Sequence, residues 1–179
     1  MDSTRALDRF LASVERRAFV TARIATGDVD EALDLVQDAM LRLVKHYGKR
    51  PEREWGPLFH RILQSRIRDW YRRTRVRNRL RVWLRRDPGA EVGDALAQEP
   101  DPRETGPANN VAMRHTMRVL EAALRDLPPR QQQVFMLRVW EGLDVADTAS
   151  AMSCSQGSVK THYFRAVRAL RERLKDYWA

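Results

Sequence analysis

Between Asp87 and Asn110 the chain reads DPGAEVGDALAQEPDPRETGPANN, and this stretch constrains the fold more than any other feature. Its prolines remove backbone donors and break helices, and it holds too few large apolar side chains to offset the entropy of ordering it. Six acidic residues stand there against a single basic one, Arg103. The composition predicts a flexible acidic linker, so whatever folds must fold on either side of it, over 1–86 and 111–179.

Both flanks carry helical periodicity. After Gly27, Asp28 and Glu31 have capping-box spacing, and Ala32, Val36, Ala39, Met40, Leu43 and Tyr47 then form one apolar stripe that ends at Gly48. Pro57 suits a first helical residue, because its missing N–H would have no partner there. Leu58, Phe59, Ile62, Leu63, Ile67 and Trp70 continue one face beyond it. No segment alternates as a half-buried strand would, and no hairpin dipeptide joins alternating runs. The expected fold is all-α, with two small helical domains joined by the linker.

Composition narrows the function classes. Hydrophobic residues make up 43% of the 179, enough to build cores on both sides. The formal net charge of +9 favours a polyanionic partner. A lone Cys154 excludes an internal disulfide and any cysteine metal cluster. The opening MDSTRALDRF lacks the apolar core of a signal peptide, and no stretch approaches the roughly 20 apolar residues of a membrane span, so a cytoplasmic setting without membrane insertion is expected. His46, His60, His115 and His162 are scattered, without HExxH, a phosphate loop or clustered acids; neither an enzyme nor a bound cofactor or metal is expected.

The segment beginning LPPRQQQVF predicts three helices. Pro128 and Pro129 start the first, with Val134, Phe135, Leu137 and Trp140 at apolar positions up to Gly142. Asp144 caps a short helix carrying Val145, Ala149 and Met152; after the SCS turn, Ser155 caps a last helix with Val159, Tyr163, Ala166 and Leu170 inward. This is a helix-turn-helix pattern, with Ser153 where such turns often hold Gly. The outer face of the last helix carries Gln156, Ser158, Lys160, Thr161, His162 and Arg165 where base edges would be met. Arg168, Arg171 and Arg173 follow within reach of phosphates. A merely solvated basic face is the competing reading.

Two features stand out before the linker. Arg66, Arg68, Arg72, Arg73, Arg75, Arg77, Arg79 and Arg81 are interleaved with Trp70, Tyr71 and Trp83. Arginines can track a nucleic-acid backbone, and aromatic rings can hold an unstacked base at about 1–3 kcal/mol per base. Trp70 also falls on the core stripe, so a packing role competes. On the preceding helix, Asp34, Gln37, Asp38, Leu41 and Lys45 share the face opposite the core, which reads as a docking surface or as an ordinary solvated one.

Taken together, the chain resembles the extracytoplasmic-function group of bacterial sigma factors. DLVQDAM at Asp34–Met40 is similar to that group's polymerase-clamp-binding motif. LFHRILQSRIRDWYRR at Leu58–Arg73 resembles its −10 helix, and GSVKTHYFRAVRAL at Gly157–Leu170 its −35 helix. The resemblance implies core RNA polymerase (beta and beta-prime subunits), promoter DNA and an anti-sigma factor as partners. It places Asp34, Gln37, Asp38 and Leu41 against the polymerase. Arg66, Asp69, Trp70, Arg72 and Arg73 fall at −10, and the recognition-helix residues from Gln156 to Arg168 at −35. Ser65 stands where the group usually has Asn, Tyr71 where it often has Leu, and Asp147–Thr148–Ala149 where it has Glu-Ile-Ala. A stand-alone helix-turn-helix regulator is the alternative; it leaves the Asp34–Leu41 face and the acidic linker without a role.

Overall fold

A computed structural model describes residues 2–84 and 109–177, whose regular structure is helical throughout. Residues 85–108, which hold the expected linker except for Asn109 and Asn110 at the start of α4, and the side chains of Arg79, Arg81 and Trp83 lie outside the described residues. Before the linker come α1 (Asp2–Thr26), α2 (Val29–Tyr47) and α3 (Glu52–Leu84). After it come α4 (Asn109–Arg125) and α5 (Pro129–Phe135), the latter continuing as a π-helical turn over Met136–Trp140. Then follow α6 (Val145–Met152), α7 (Gln156–Leu174) and a 3-10 turn, Lys175–Tyr177. No helix among the described residues is long and apolar enough to cross a membrane.

Local chemistry sets the helix starts. The Asp28 carboxylate accepts from the Glu31 N–H at 2.9 Å, so half of the expected capping box forms. The other half does not: Glu31 instead accepts from the Trp70 indole at 3.0 Å, and the Asp28 N–H bonds the Thr26 hydroxyl at 3.2 Å. Asp144 caps α6 through the Asp147 N–H at 2.7 Å, and Pro129 opens α5.

Helix α3 departs from expectation at its start. It begins at Glu52, leaving Pro57 inside the helix rather than at its first position. A proline there forfeits one backbone bond and crowds the preceding turn. What holds that extra turn is Trp55, only 1% exposed, with its indole donating to the Tyr47 carbonyl at 3.2 Å and its ring 5.9 Å from Phe10. Burying a tryptophan outweighs one lost hydrogen bond.

Two cores result. In the first, Trp55, Phe59, Leu63 and Ile67 of α3 pack on Leu35, Val36, Ala39 and Leu43 of α2 and on Ala18 and Ala22 of α1. The second gathers Leu127, Val134, Leu137, Met152, Val159, Ala166 and Leu170 from α4 to α7. Ile24 and the half-buried Val20, from the end of α1, belong to this second core. Helix α1 therefore spans both.

One buried titratable group makes the first core pH-sensitive. His60 is buried with its Nδ1 unpartnered, and burial, then the nearby Arg17 charge, push its pKa from 6.5 down to about 4. The folded state resists protonation, so the stability this site contributes is complete above pH 6.5 and drains away as pH falls toward 4. The full span corresponds to about 3 kcal/mol. Denaturant titrations between pH 7 and 4 should show a loss of stability that is smaller by roughly this amount in His60→Phe; equal slopes in the two proteins would assign the effect elsewhere.

Candidate nucleic-acid and protein interfaces

The recognition helix is set by its turn. Ser153 sits in the left-handed region at φ 51 and ψ 53, the conformation that favours the glycine often found there. The Ser155 hydroxyl then accepts from the Ser158 N–H at 3.1 Å and starts α7. Val159, Ala166, Leu170 and Leu174 face the core, which turns Gln156, Lys160, Thr161, Arg165 and Arg168 to solvent. Ser158 is half-buried, 2.9 Å from the Ser155 hydroxyl, and Thr161 bonds the Gly157 carbonyl at 3.0 Å. His162 is also half-buried; desolvation, then Arg130 and Arg165, lower its pKa and favour the neutral ring.

Two residues of α7 add to or differ from the sequence reading. Phe164, not singled out from spacing, is 68% exposed among the outward cations. Conversely, Arg173 is held at α4, donating to the Ala123 carbonyl at 3.1 Å and lying 4.0 Å from the Asp126 carboxylate. It serves the last carbonyls of α4 rather than a phosphate.

On α3 the arginines divide by direction. Asp69 lies between Arg66 (3.4 Å) and Arg72, and these hydrogen bonds and charges, Arg72 first, hold its carboxyl below the usual range. Arg66 also pairs with Asp38 of α2 at 2.5 Å, and Asp38 with Arg42 at 3.0 Å. Arg72 and Arg73 are exposed. Trp70 packs half-buried against the first core, edge-on to Tyr71 at 5.3 Å. It has a packing role, with its indole N–H held by Glu31. Among the candidate docking residues, Asp34, Gln37 and Leu41 are exposed, Leu41 by 69%, while Asp38 is half-buried in its ion pairs. Leu33 and Val44, not singled out from spacing, extend the exposed apolar row.

The two halves meet along a polar seam. Arg68 donates to the Met152 carbonyl at 3.1 Å, and the Tyr71 hydroxyl to Gln132 Oε1 at 2.9 Å, with burial pushing the phenol up to about 12. On α1, Arg17 donates to the Trp140 carbonyl at 2.6 Å while the Trp140 indole donates back to the Arg17 carbonyl at 3.2 Å. Trp140, expected at a core position, is instead an exposed part of this seam. Thr21 donates to Glu141 at 3.1 Å, and Arg23 pairs with Glu121 at 2.9 Å. The seam covers one side of the arginine-rich helix while leaving the outer face of α7 open.

Residues 117–170 match the family described as sigma-70, region 4. The chain is 31% identical over 166 residues to the RNA polymerase sigma-E factor of Streptomyces avermitilis, across 87% of this chain and 78% of that protein. It is 32% identical over 155 residues to the Streptomyces coelicolor sigma-E factor, across 86% and 77%. The ECF RNA polymerase sigma factor SigF of Caulobacter vibrioides is 29% identical over 169 residues, 92% of this chain and 82% of that one. Among solved structures, the fold is similar to that of the sigma factor RpoE in complex with the anti-sigma factor NepR from Bartonella quintana. That likeness has a TM-score of 0.60 and 23% identity over 97% of each chain.

The seam itself can be tested in isolation. Tyr71→Phe leaves the buried Gln132 oxygen unpaired, at a cost of about 1–3 kcal/mol, and Arg17→Ala removes a second, charged donor to the Trp140 carbonyl. The double variant should keep its helicity but show a larger radius of gyration in solution scattering. An unchanged radius would mean that the remaining contacts, Arg68–Met152, Thr21–Glu141 and Arg23–Glu121 among them, suffice to hold the halves together.

Proposed function

The chain belongs to the extracytoplasmic-function group of RNA polymerase sigma factors, an alternative type that directs transcription initiation, and from that premise we propose how its two halves divide the work. Residues 1–86 bind core polymerase and open the −10 element, 87–110 connect, and 111–179 read the −35 element. The protein acts by binding, with no bond made or broken by its own side chains, and it works in the cytoplasm beside the polymerase.

The observation that carries this division is the outward face of α7. Its exposed Gln156, Lys160, Thr161, Arg165 and Arg168 lie within the segment that matches sigma-70, region 4. Cations along such a helix position the backbone, and polar side chains near its N-terminus read base edges. Arg66 and Asp69 serve the −10 element as a fixed, charge-balanced edge, Trp70 braces that edge, and the exposed Arg72 and Arg73 supply cations beside it, Arg72 from its pair with Asp69. Asp34, Gln37, Asp38 and Leu41 dock on the beta-prime clamp, with the beta subunit meeting the other half. An anti-sigma factor that covers these surfaces is the expected regulator; the likeness to a sigma factor solved with such a partner supports it.

Because Gln37 and Leu41 are exposed and touch neither core, Gln37→Ala with Leu41→Ala should leave melting unchanged while weakening core-polymerase binding at least about tenfold, or 1.4 kcal/mol. Equal affinity in a pull-down or titration would move the docking surface elsewhere. Asp38 is a poorer probe, since its loss would also release Arg66.

Strand opening separates this reading from that of a simple DNA binder. Holoenzyme carrying Arg72→Ala with Arg73→Ala should bind promoter duplex yet open it poorly, and should recover on a pre-melted template, where the unstacking cost of a few kcal/mol per step is already met. Permanganate reactivity of unpaired thymines reports the opening. An equal defect on duplex and bubble would reduce these arginines to an electrostatic anchor.

A further inference from the structure

Where α3 of the first half faces α5 of the second there is a cleft of about 810 Å³, lined by Arg68, Arg72 and Arg75 from one side and Arg130 and Gln133 from the other. Arg68 and Arg130 both donate to the same Met152 carbonyl, at 3.1 and 3.0 Å, so two guanidinium groups from opposite halves converge on one neutral acceptor. The one carboxylate lining the cleft, Asp69, is already engaged by Arg66 and Arg72. Gln133 is 3% exposed, and both its amide oxygen and its amide nitrogen lack a partner. Burial, then the charge of Arg130, lower the pKa of Arg68, and the Asp69 carboxylate only partly offsets them.

We propose that this cleft binds a small polyphosphate anion, of the class of tripolyphosphate or a nucleoside triphosphate, and that the bound anion clamps the two halves together. Guanidinium forks match phosphoryl oxygens in pairs, and an amide held at the cleft wall adds an uncharged donor. The volume lies within the range of small-molecule sites. A DNA duplex, whose grooves alone are about 6 and 12 Å wide, is too large for it. An acidic peptide spreads its charge at about one per 3.3–3.6 Å of chain, whereas a polyphosphate concentrates several charges between the converging cations. Without the anion, repulsion between Arg68 and Arg130 offsets part of what the Arg68 bond to Met152 contributes to closure; with it, the pair favours closure outright. The consequence for initiation rests on the sigma-factor reading, because a clamped seam withholds Arg72 from the promoter; the binding itself does not.

The test is calorimetric titration of the full chain with sodium tripolyphosphate and, separately, ATP, at constant ionic strength and with melting followed in parallel. One anion should bind per chain and raise the melting temperature. Arg130→Ala and the exposed Arg75→Ala should each weaken binding about tenfold while keeping wild-type circular dichroism. Tighter binding of ATP would indicate a nucleotide, and equal binding the phosphate chain alone; both support the site. Affinity unchanged in both variants, several anions bound per chain, or equal binding of a glutamate oligopeptide of matched charge would each overturn it. Core-polymerase binding measured on the same samples keeps the two readings apart. A chain that takes tripolyphosphate but not polymerase loses the sigma role and keeps the site, and the reverse result does the opposite.

Discussion

Gln132 ties this molecule together. Its amide, 3% exposed, donates to the Leu124 carbonyl at 3.0 Å and to the Ile24 carbonyl at 3.4 Å, while its oxygen accepts from Tyr71. One side chain thus satisfies groups on α4, α1 and α3 at once, and three of its four hydrogen-bonding positions are used. The carbonyls it reaches sit near the C-terminal ends of α1 and α4, where intrahelical partners run out. Its loss would strand buried groups on three elements, so the orientation of α1 toward the second core depends on it.

Charge is managed differently on the two faces of α3. Toward α2, Arg66 and Arg42 are matched by Asp38, and Asp69 ties Arg66 to Arg72 at the edge of the cleft, so that side is geometrically fixed. Toward α5, Arg68 meets Arg130 with only a carbonyl between them. A helix that is rigid on one side and under like-charge repulsion on the other is suited to change partners without changing its own shape.

Much of this was legible from the chain. Caps at Asp28, Asp144 and Ser155, and the core stripes of α2, α3 and α7, follow from short-range hydrogen bonding and from helical period, both local properties. The misreadings have a common cause in tertiary packing. Pro57 lies inside α3 because Trp55, two residues earlier, finds an acceptor on Tyr47. Glu31 leaves its capping box for the Trp70 indole, 39 positions away. Trp140 reads as core by spacing, yet the π-helical turn that carries it and the carbonyl of Arg17 place it in the seam. For the candidate site, residue types and helix faces were readable, but the pairing of each arginine was not. Sequence spacing cannot show that Arg68 and Arg173 end on backbone carbonyls while Arg72 and Arg168 stay exposed. Leu33, Val44 and Phe164 were missed because exposure of an apolar side chain depends on what fails to cover it.

The shared helix α1 has a consequence that can be put as a length. Promoter boxes centred near −35 and −10 are about 25 base pairs apart, or roughly 85 Å at about 3.4 Å per step. A compact chain of this size has a radius of gyration of about 16 Å, so the closed form is too short to touch both boxes. The segment from 85 to 108 could reach about 80 Å if fully drawn out, enough to let the halves straddle that distance once Val20 and Ile24 leave the second core. On the proposed division of work, closed packing and engagement of both boxes exclude each other, and the seam then enters promoter affinity as a multiplying factor. Each tenfold preference for the closed form raises the apparent dissociation constant tenfold.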